Sequence, residues 1–476
     1  MIGDQSRGLG LSIHATETWR YSLTAQTKET ITSKPEEEPD ETKLNEGALR
    51  QLGYFKTVLC AAAIGTAGGL VASVYYYVLE EFMETVWHVG PDLLMPYFPN
   101  WLPSWNYLWI VTTIGGFFVG LILYLMGSPG EMALVVDSVH DPGKIDIKQT
   151  PAMVVASLVS ITAGGSAGPE APLVQINGSL GGWLGDKLGL ELGSVRVLTF
   201  CGMSAALAAF FGDPIGGPLF ALEIPHRRGL QYYEALIPAI VSGIFSFAIF
   251  KANTGLIIGG IYHFDPPPAL TLMNLLEGVS LGAVGALAGA IFIVMFQKTG
   301  KLLAPIEESV ILRATLGGLG IGLIASLFPE TLFFSEKQIE GVIELGRVSS
   351  VTTLVAIAFA KMLAISFTLH CGFRGGFIFP LFFIGANLGL AVGLACPVVH
   401  PTLAMICTMA AVNVAVTKTP ISTTVILSVL SSTALIPIVA IASFVSFFLT
   451  SNLFLLKTQR SRTLPISQLH PVEVDS

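Results

Sequence analysis

The stretch GGSAGPEAPLVQINGSLG, residues 164–181, places one carboxylate, Glu170, among glycines, alanines and prolines. Long apolar runs flank it on both sides. An ionisable group set in hydrocarbon is costly and marks function by default. Glycine and proline around it break the helix that would otherwise carry the chain across. Broken backbone is tolerated at membrane depth only where protein or a water-filled cavity surrounds it.

Composition agrees with a membrane setting. Of 476 residues, 52% are hydrophobic and 12% are charged, about half the roughly 25% charge of soluble domains. The net charge of -8, without a basic tract, argues against nucleic acid. Thirteen apolar runs lie between residues 54 and 456, several shorter than the ~20 residues of a simple span. Re-entrant or half-spanning helices account for them. The chain is therefore expected to be an all-α polytopic membrane protein with many broken helices. Cys60, Cys201, Cys371, Cys396 and Cys407 show no metal-ligand spacing and read as small hydrophobes. No metal, cofactor or enzymatic motif is expected.

The two halves match. TIGGFFVGLI from Thr113 pairs with TLGGLGIGLI from Thr315, PLVQINGSLG from Pro172 with PLFFIGANLG from Pro380, and MSAALAAFFGDPI from Met203 with MAAVNVAVTKTPI from Met409. The offsets are 202, 208 and 206 residues in one order, the mark of a transporter built from internal repeats. An odd number of spans per half would invert one repeat relative to the other. The expected organisation is a polar, partly disordered tail over 1–50, transmembrane repeats over 51–250 and 251–457, and a short polar tail over 458–476. The acidic N-terminal segment lacks a secretory h-region. Lys457, Arg460 and Arg462 after the last apolar run point to a cytoplasmic C-terminus. The tryptophan-rich run from Trp87 to Trp109 reads as an interfacial belt.

Three interruptions, MGSPGEM at 126–132, AGPEAP at 167–172 and FRGGFIFP at 373–380, have the composition of helix N-termini. Such ends present unpaired N–H groups that hold anions. The alternative for each is a kink or packing point. Arg374, beside the third, adds positive potential or is a polar loop residue.

These segments resemble the CLC family of chloride channels and chloride/proton antiporters, prokaryotic type, without C-terminal CBS domains. GPEAPLVQI resembles the family's G-[K/R]-E-G-P segment, GGFIFP its G-x-F-x-P segment, and AALAAFFGDPIGGPLFALE the following helix pair. The resemblance covers roughly residues 55–457. It implies two inverted-topology repeats, a homodimer with one pathway per subunit, and chloride as the substrate, held by helix N-termini. It makes Glu170 the gating glutamate, and Ser128, Gly168, Phe377, Ile378 and Phe454 the anion site. Ser128 matches only after a one-residue adjustment in the first motif. Ile378 replaces the family's phenylalanine, and Phe454 its central tyrosine. Where family antiporters carry an inner proton-transfer glutamate, this chain has Ile224, which leaves Glu223 and His226 as a possible proton path unless they merely contact Arg227 or Arg228. Asp213 and Lys418 occupy matched turns and either pair or lie at the interface. The leading expectation is a chloride channel of this type, voltage-gated-channel-like, in the cell membrane or alternatively an organelle membrane. Chloride/proton antiport through a substitute relay, or export of fluoride or another anion, are the alternatives.

Overall fold

The computed structural model describes residues 41–97, 106–130, 132–255, 262–267, 270–345 and 350–460. The first half comprises α1 (Glu41–Glu84), α2 (Gly90–Leu94), α3 (Asn106–Met126), α4 (Met132–His140), α5 (Thr150–Thr162), α6 (Glu170–Lys187), α7 (Leu192–Phe211), α8 (Gly216–Glu223) and α9 (Leu236–Thr254). The second comprises α10 (Leu272–Leu303), α11 (Val310–Leu327), α12 (Glu336–Leu345), α13 (Val351–His370), α14 (Ile378–Ala395), α15 (Pro401–Thr417), α16 (Pro420–Leu430) and α17 (Ile436–Leu449). Eight helical segments among the described residues are long and apolar enough to cross a membrane. The protein is an all-α, multi-pass membrane protein.

By contacts the chain divides after Tyr54, and the described residues of both repeats from Phe55 onward fall in one compact unit. Helix α1 begins at Glu41, inside the segment assigned from sequence to the polar tail. Residues 1–40, Arg462 and the far C-terminal tail lie outside the described residues, as do Trp101 and Trp105 of the aromatic run. Trp87 is tied inward, its Nε1 donating to the Thr162 carbonyl.

The repeats meet at the crossing of α3 and α11. A Cβ on Gly116 would lie 2.3 Å from the Ala314 carbonyl oxygen, and one on Gly318 would lie 2.0 Å from that of Thr112. The offset of 202 exchanges the two contacts, since Gly116 matches Gly318 and Thr112 matches Ala314. Residue numbers rise along one helix as they fall along the other: Gly120 abuts Ile311, and Gly322 abuts Trp109. The equivalent helices are thus antiparallel, which places the pseudo-twofold axis across them, in the membrane plane, and makes the repeats inverted. Without a hydrophobic drive between helices in lipid, such crossings rely on small residues that let backbones approach.

The same symmetry governs the loops before α6 and α14. Gly164 and Gly372, offset by 208, both close turns at positive φ, +89° and +91°. Gly165 N–H donates to Ser160 O, and its counterpart Phe373 N–H donates to Thr368 O. At α7 the left-handed end is Gly212, while at the matching end of α15 it is Lys418.

Helix α6 was not legible as an apolar run, because Gln175, Asn177, Ser179 and several glycines dilute it. Most of it is nonetheless buried in protein, Gln175, Asn177 and Ser179 included. Substituting Gly318 by valine should split the α3–α11 crossing. Overpacking of this kind costs about 1–3 kcal/mol, and thermal unfolding in detergent should drop measurably; an unchanged transition would refute the packing argument.

Candidate functional site

Glu170 opens α6 and is fully buried. Its Oε1 accepts the backbone N–H of Ile378, the first residue of α14, at 2.8 Å. A carboxylate of the first repeat thus sits on the N-terminus of the second repeat's matching helix. The loops that carry them are joined by an isolated antiparallel bridge: Gly168 N–H donates to Gly376 O at 2.8 Å, and Gly376 N–H to Gly168 O at 2.7 Å. Glycine is required at both places. A Cβ on Gly376 would lie 2.4 Å from the Glu170 carboxyl carbon, and one on Gly168 would lie 2.0 Å from Oε2. That second oxygen is buried without a hydrogen-bond partner, a costly position for an ionised group.

Beside this berth lies a cavity of about 90 Å³, well above the ~10–15 Å³ that one water needs. Its wall draws on the turn before α4 (Gly130), the first turn of α6 (Ala171, Pro172) and the approach to α14 (Arg374, Gly375, Phe377). Three helix N-termini therefore converge on one space, each contributing partial positive charge in a low dielectric. The remaining wall is apolar, with Met153, Leu455 and Leu456 among its residues.

Ser128 is exposed just ahead of this wall, and its Oγ accepts from Arg374 Nη2. Gly168, Phe377 and Ile378 are buried around the Glu170 berth. Phe454 is not part of the cavity wall. Its ring lies 4.8 Å from the Arg227 guanidinium and 5.8 Å from Lys418 Nζ, and the next two residues face the cavity instead.

Glu223 and His226 are both buried. The Glu223 carboxylate accepts from Ile421 N, Ser422 N and Ser422 Oγ at 3.1, 2.8 and 2.6 Å, capping α16. His226 Nδ1 hydrogen-bonds with Leu222 O, and its ring packs on His140 and Tyr232. The arginine contact considered for Glu223 is replaced by this helix cap, while Arg227 donates to Gln459 O. Ile224 is buried beside them. Asp213 and Lys418 do not pair and are both buried in protein: Asp213 accepts from Ile215 N, and Lys418 Nζ donates to Ala415 O and to both oxygens of Thr450.

The family model described as voltage gated chloride channel matches residues 115–451, most of the chain and all of this geometry except the final cavity wall. The chain belongs to the CLC family. A relative from Pseudomonas syringae pv. tomato, called a chloride/fluoride channel protein, is 29% identical over 368 residues, covering 74% of this chain and 78% of the relative. Two solved structures share the fold. One is a CLC-type fluoride/proton antiporter, with TM-score 0.71 and 20% identity over 89% of this chain and 100% of that one. The other is a slow cyanobacterial Cl⁻/H⁺ antiporter, with TM-score 0.72 and 19% identity over 83% of this chain and 95% of that one.

Sequence reasoning missed how this CLC chain covers the Glu170 berth. Phe333 and Ser335 adopt left-handed backbone, φ 56° and 65°, around Phe334. Phe334 backs Gly168 and packs on Phe210, which in turn stacks edge-on against Phe379. Non-glycine residues in this region cost on the order of 1–3 kcal/mol each. The strain is held by Lys361, fully buried on α13, whose Nζ donates to the carbonyls of Thr331, Leu332 and Phe333. Replacing Lys361 with methionine should strand those carbonyls and loosen the cover, at a net cost on the order of 2 kcal/mol. Unfolding in detergent and proteolysis after residue 330 would report it; a variant as resistant as the parent would remove Lys361 from this role.

Proposed function

We propose that this anion transport protein of the CLC family moves chloride through a pathway gated by Glu170, with little coupling to protons. The observation that carries this reading is the Glu170 carboxylate on the Ile378 N–H. A carboxylate there occupies the donor position an anion would take at the α14 N-terminus. Ionised, it competes with chloride for those donors; protonated, it loses that competition and swings away. The orphaned Oε2 favours this exchange, because the closed state leaves part of the buried charge unpaired. External acid should therefore raise flux and alkali lower it. Glu170→Gln should fix the berth in its neutral form. Chloride efflux from vesicles should then be high and nearly independent of external pH, while a variant that keeps the parent's pH response would overturn the gate assignment. Like others of its family, the chain is proposed to act as a homodimer with a separate pathway in each subunit, in the cell membrane, without cofactor or enzymatic activity.

Weak proton coupling follows from the opposite end of the pathway. The position of the expected proton donor is Ile224, and the neighbouring Glu223 is engaged by three donors of α16. An imposed chloride gradient should drive little uphill proton movement in reconstituted vesicles. Pumping at a fixed chloride-to-proton ratio would establish the antiporter reading instead, and its loss in Glu223→Gln would name the relay. Export of fluoride is the remaining alternative, supported by the name of the Pseudomonas relative.

A further inference from the structure

We propose that Glu336 is a positioning residue for the gate: its carboxylate, just outside the cover of the Glu170 berth, favours the proton on Glu170 and so sets the external pH at which the pathway opens. This deepens the gate reading above and rests on it.

The unpartnered Oε2 of Glu170 faces the cover. A Cβ on Gly168 would lie 2.0 Å from that oxygen and 2.9 Å from the Phe334 Cβ, so the carboxylate and the cover meet over one glycine. Phe334 is buried, whereas Glu336, two residues on, opens α12 and is half-buried. Helix α12 packs on α14, whose first N–H holds the other oxygen of Glu170. Glu336 therefore stands between the covered carboxylate and solvent, and the charges of the two groups interact.

The other charges nearby are paired off. On α1, Glu80 Oε2 accepts from Lys337 Nζ at 2.9 Å. On α12, Glu340 accepts the His263 backbone N–H at 3.0 Å and meets its Nδ1 at 2.9 Å. The Lys361 ammonium on α13 is taken up by the carbonyls of Thr331, Leu332 and Phe333. Tyr76 and Tyr262 also feel the Glu336 charge, and both are neutral phenols near pH 7. Glu336 makes no direct ion pair among the described residues. Its ionised form is thus the local charge left to act on the gate. Two carboxylates that interact each favour the proton on the other. An ionised Glu336 lets Glu170 take its proton in weaker acid, and acid that neutralises Glu336 withdraws that help. The rise of flux with acid should consequently be broader than the titration of one isolated group.

The test is chloride efflux from vesicles holding the full-length protein, measured across a range of external pH. Glu336→Gln should move the midpoint of acid activation to lower pH by about half a unit to one unit, the size expected when one neighbouring carboxylate is lost. It should also steepen the curve. Glu336→Lys should move the midpoint further the same way, and Glu336→Asp, which keeps the charge, should stay near the parent. A midpoint that follows charge through this series is not what a merely structural glutamate produces. The proposal falls if the midpoint in Glu336→Gln equals the parent's, or if Glu336→Asp and Glu336→Gln shift alike. Glu170→Gln separates the two readings. A retained pH response there sinks the gate and this proposal together, whereas a flat response there beside an unmoved midpoint in Glu336→Gln sinks this proposal alone.

Discussion

Two reciprocal hydrogen bonds between Gly168 and Gly376 are the constraint around which the rest of the protein is arranged. They clamp the N-termini of α6 and α14 side by side at the point where the two repeats face each other. Because each partner lacks a Cβ, the Glu170 carboxyl fits against both backbones and reaches the Ile378 N–H. A side chain on either glycine would push it out. The turns at Gly164 and Gly372, the crossing of α3 on α11 and the lysine-held cover at Phe334 all serve to keep those two loops in register.

The sequence carried the architecture well because a repeat is a statement about symmetry, and symmetry survives the loss of detail. Matched offsets foretold which helices correspond, and the matched glycines Gly116 and Gly318 proved to lie in the crossing itself. Broken apolar runs foretold the converging helix ends. The misses share a cause: they depend on contacts between distant parts of the chain. Nothing local in NLFLLK says that Leu455 and Leu456, rather than Phe454, turn toward the cavity. Nothing near Glu223 announces that its acceptors are filled by residues almost 200 positions away. Helix α6 escaped because its glycines and amides look polar in one dimension and are enclosed by protein in three.

The two buried carboxylates, Glu170 and Glu223, solve the same electrostatic problem differently. Near Glu170, one carboxylate oxygen takes a helix N–H and the other goes without. At Glu223, both oxygens are occupied, with backbone and hydroxyl donors of α16 sharing the charge. The first leaves one oxygen without a donor, and it is the arrangement that the proposed gate exchanges for an incoming anion. The second resembles a structural cap, with the hydrogen bonds that make such caps durable.

The antiparallel crossing of equivalent helices also bears on how the chain enters the bilayer. The insertion machinery meets equivalent helices twice and must thread them in opposite senses. Apolar segments alike in length and content give no instruction about direction. That instruction has to come from the polar links, where lysine and arginine left on the cytoplasmic side set orientation. By that rule, the direction of each half is set by lysine and arginine in the links and not by the helices that carry Glu170 and its berth.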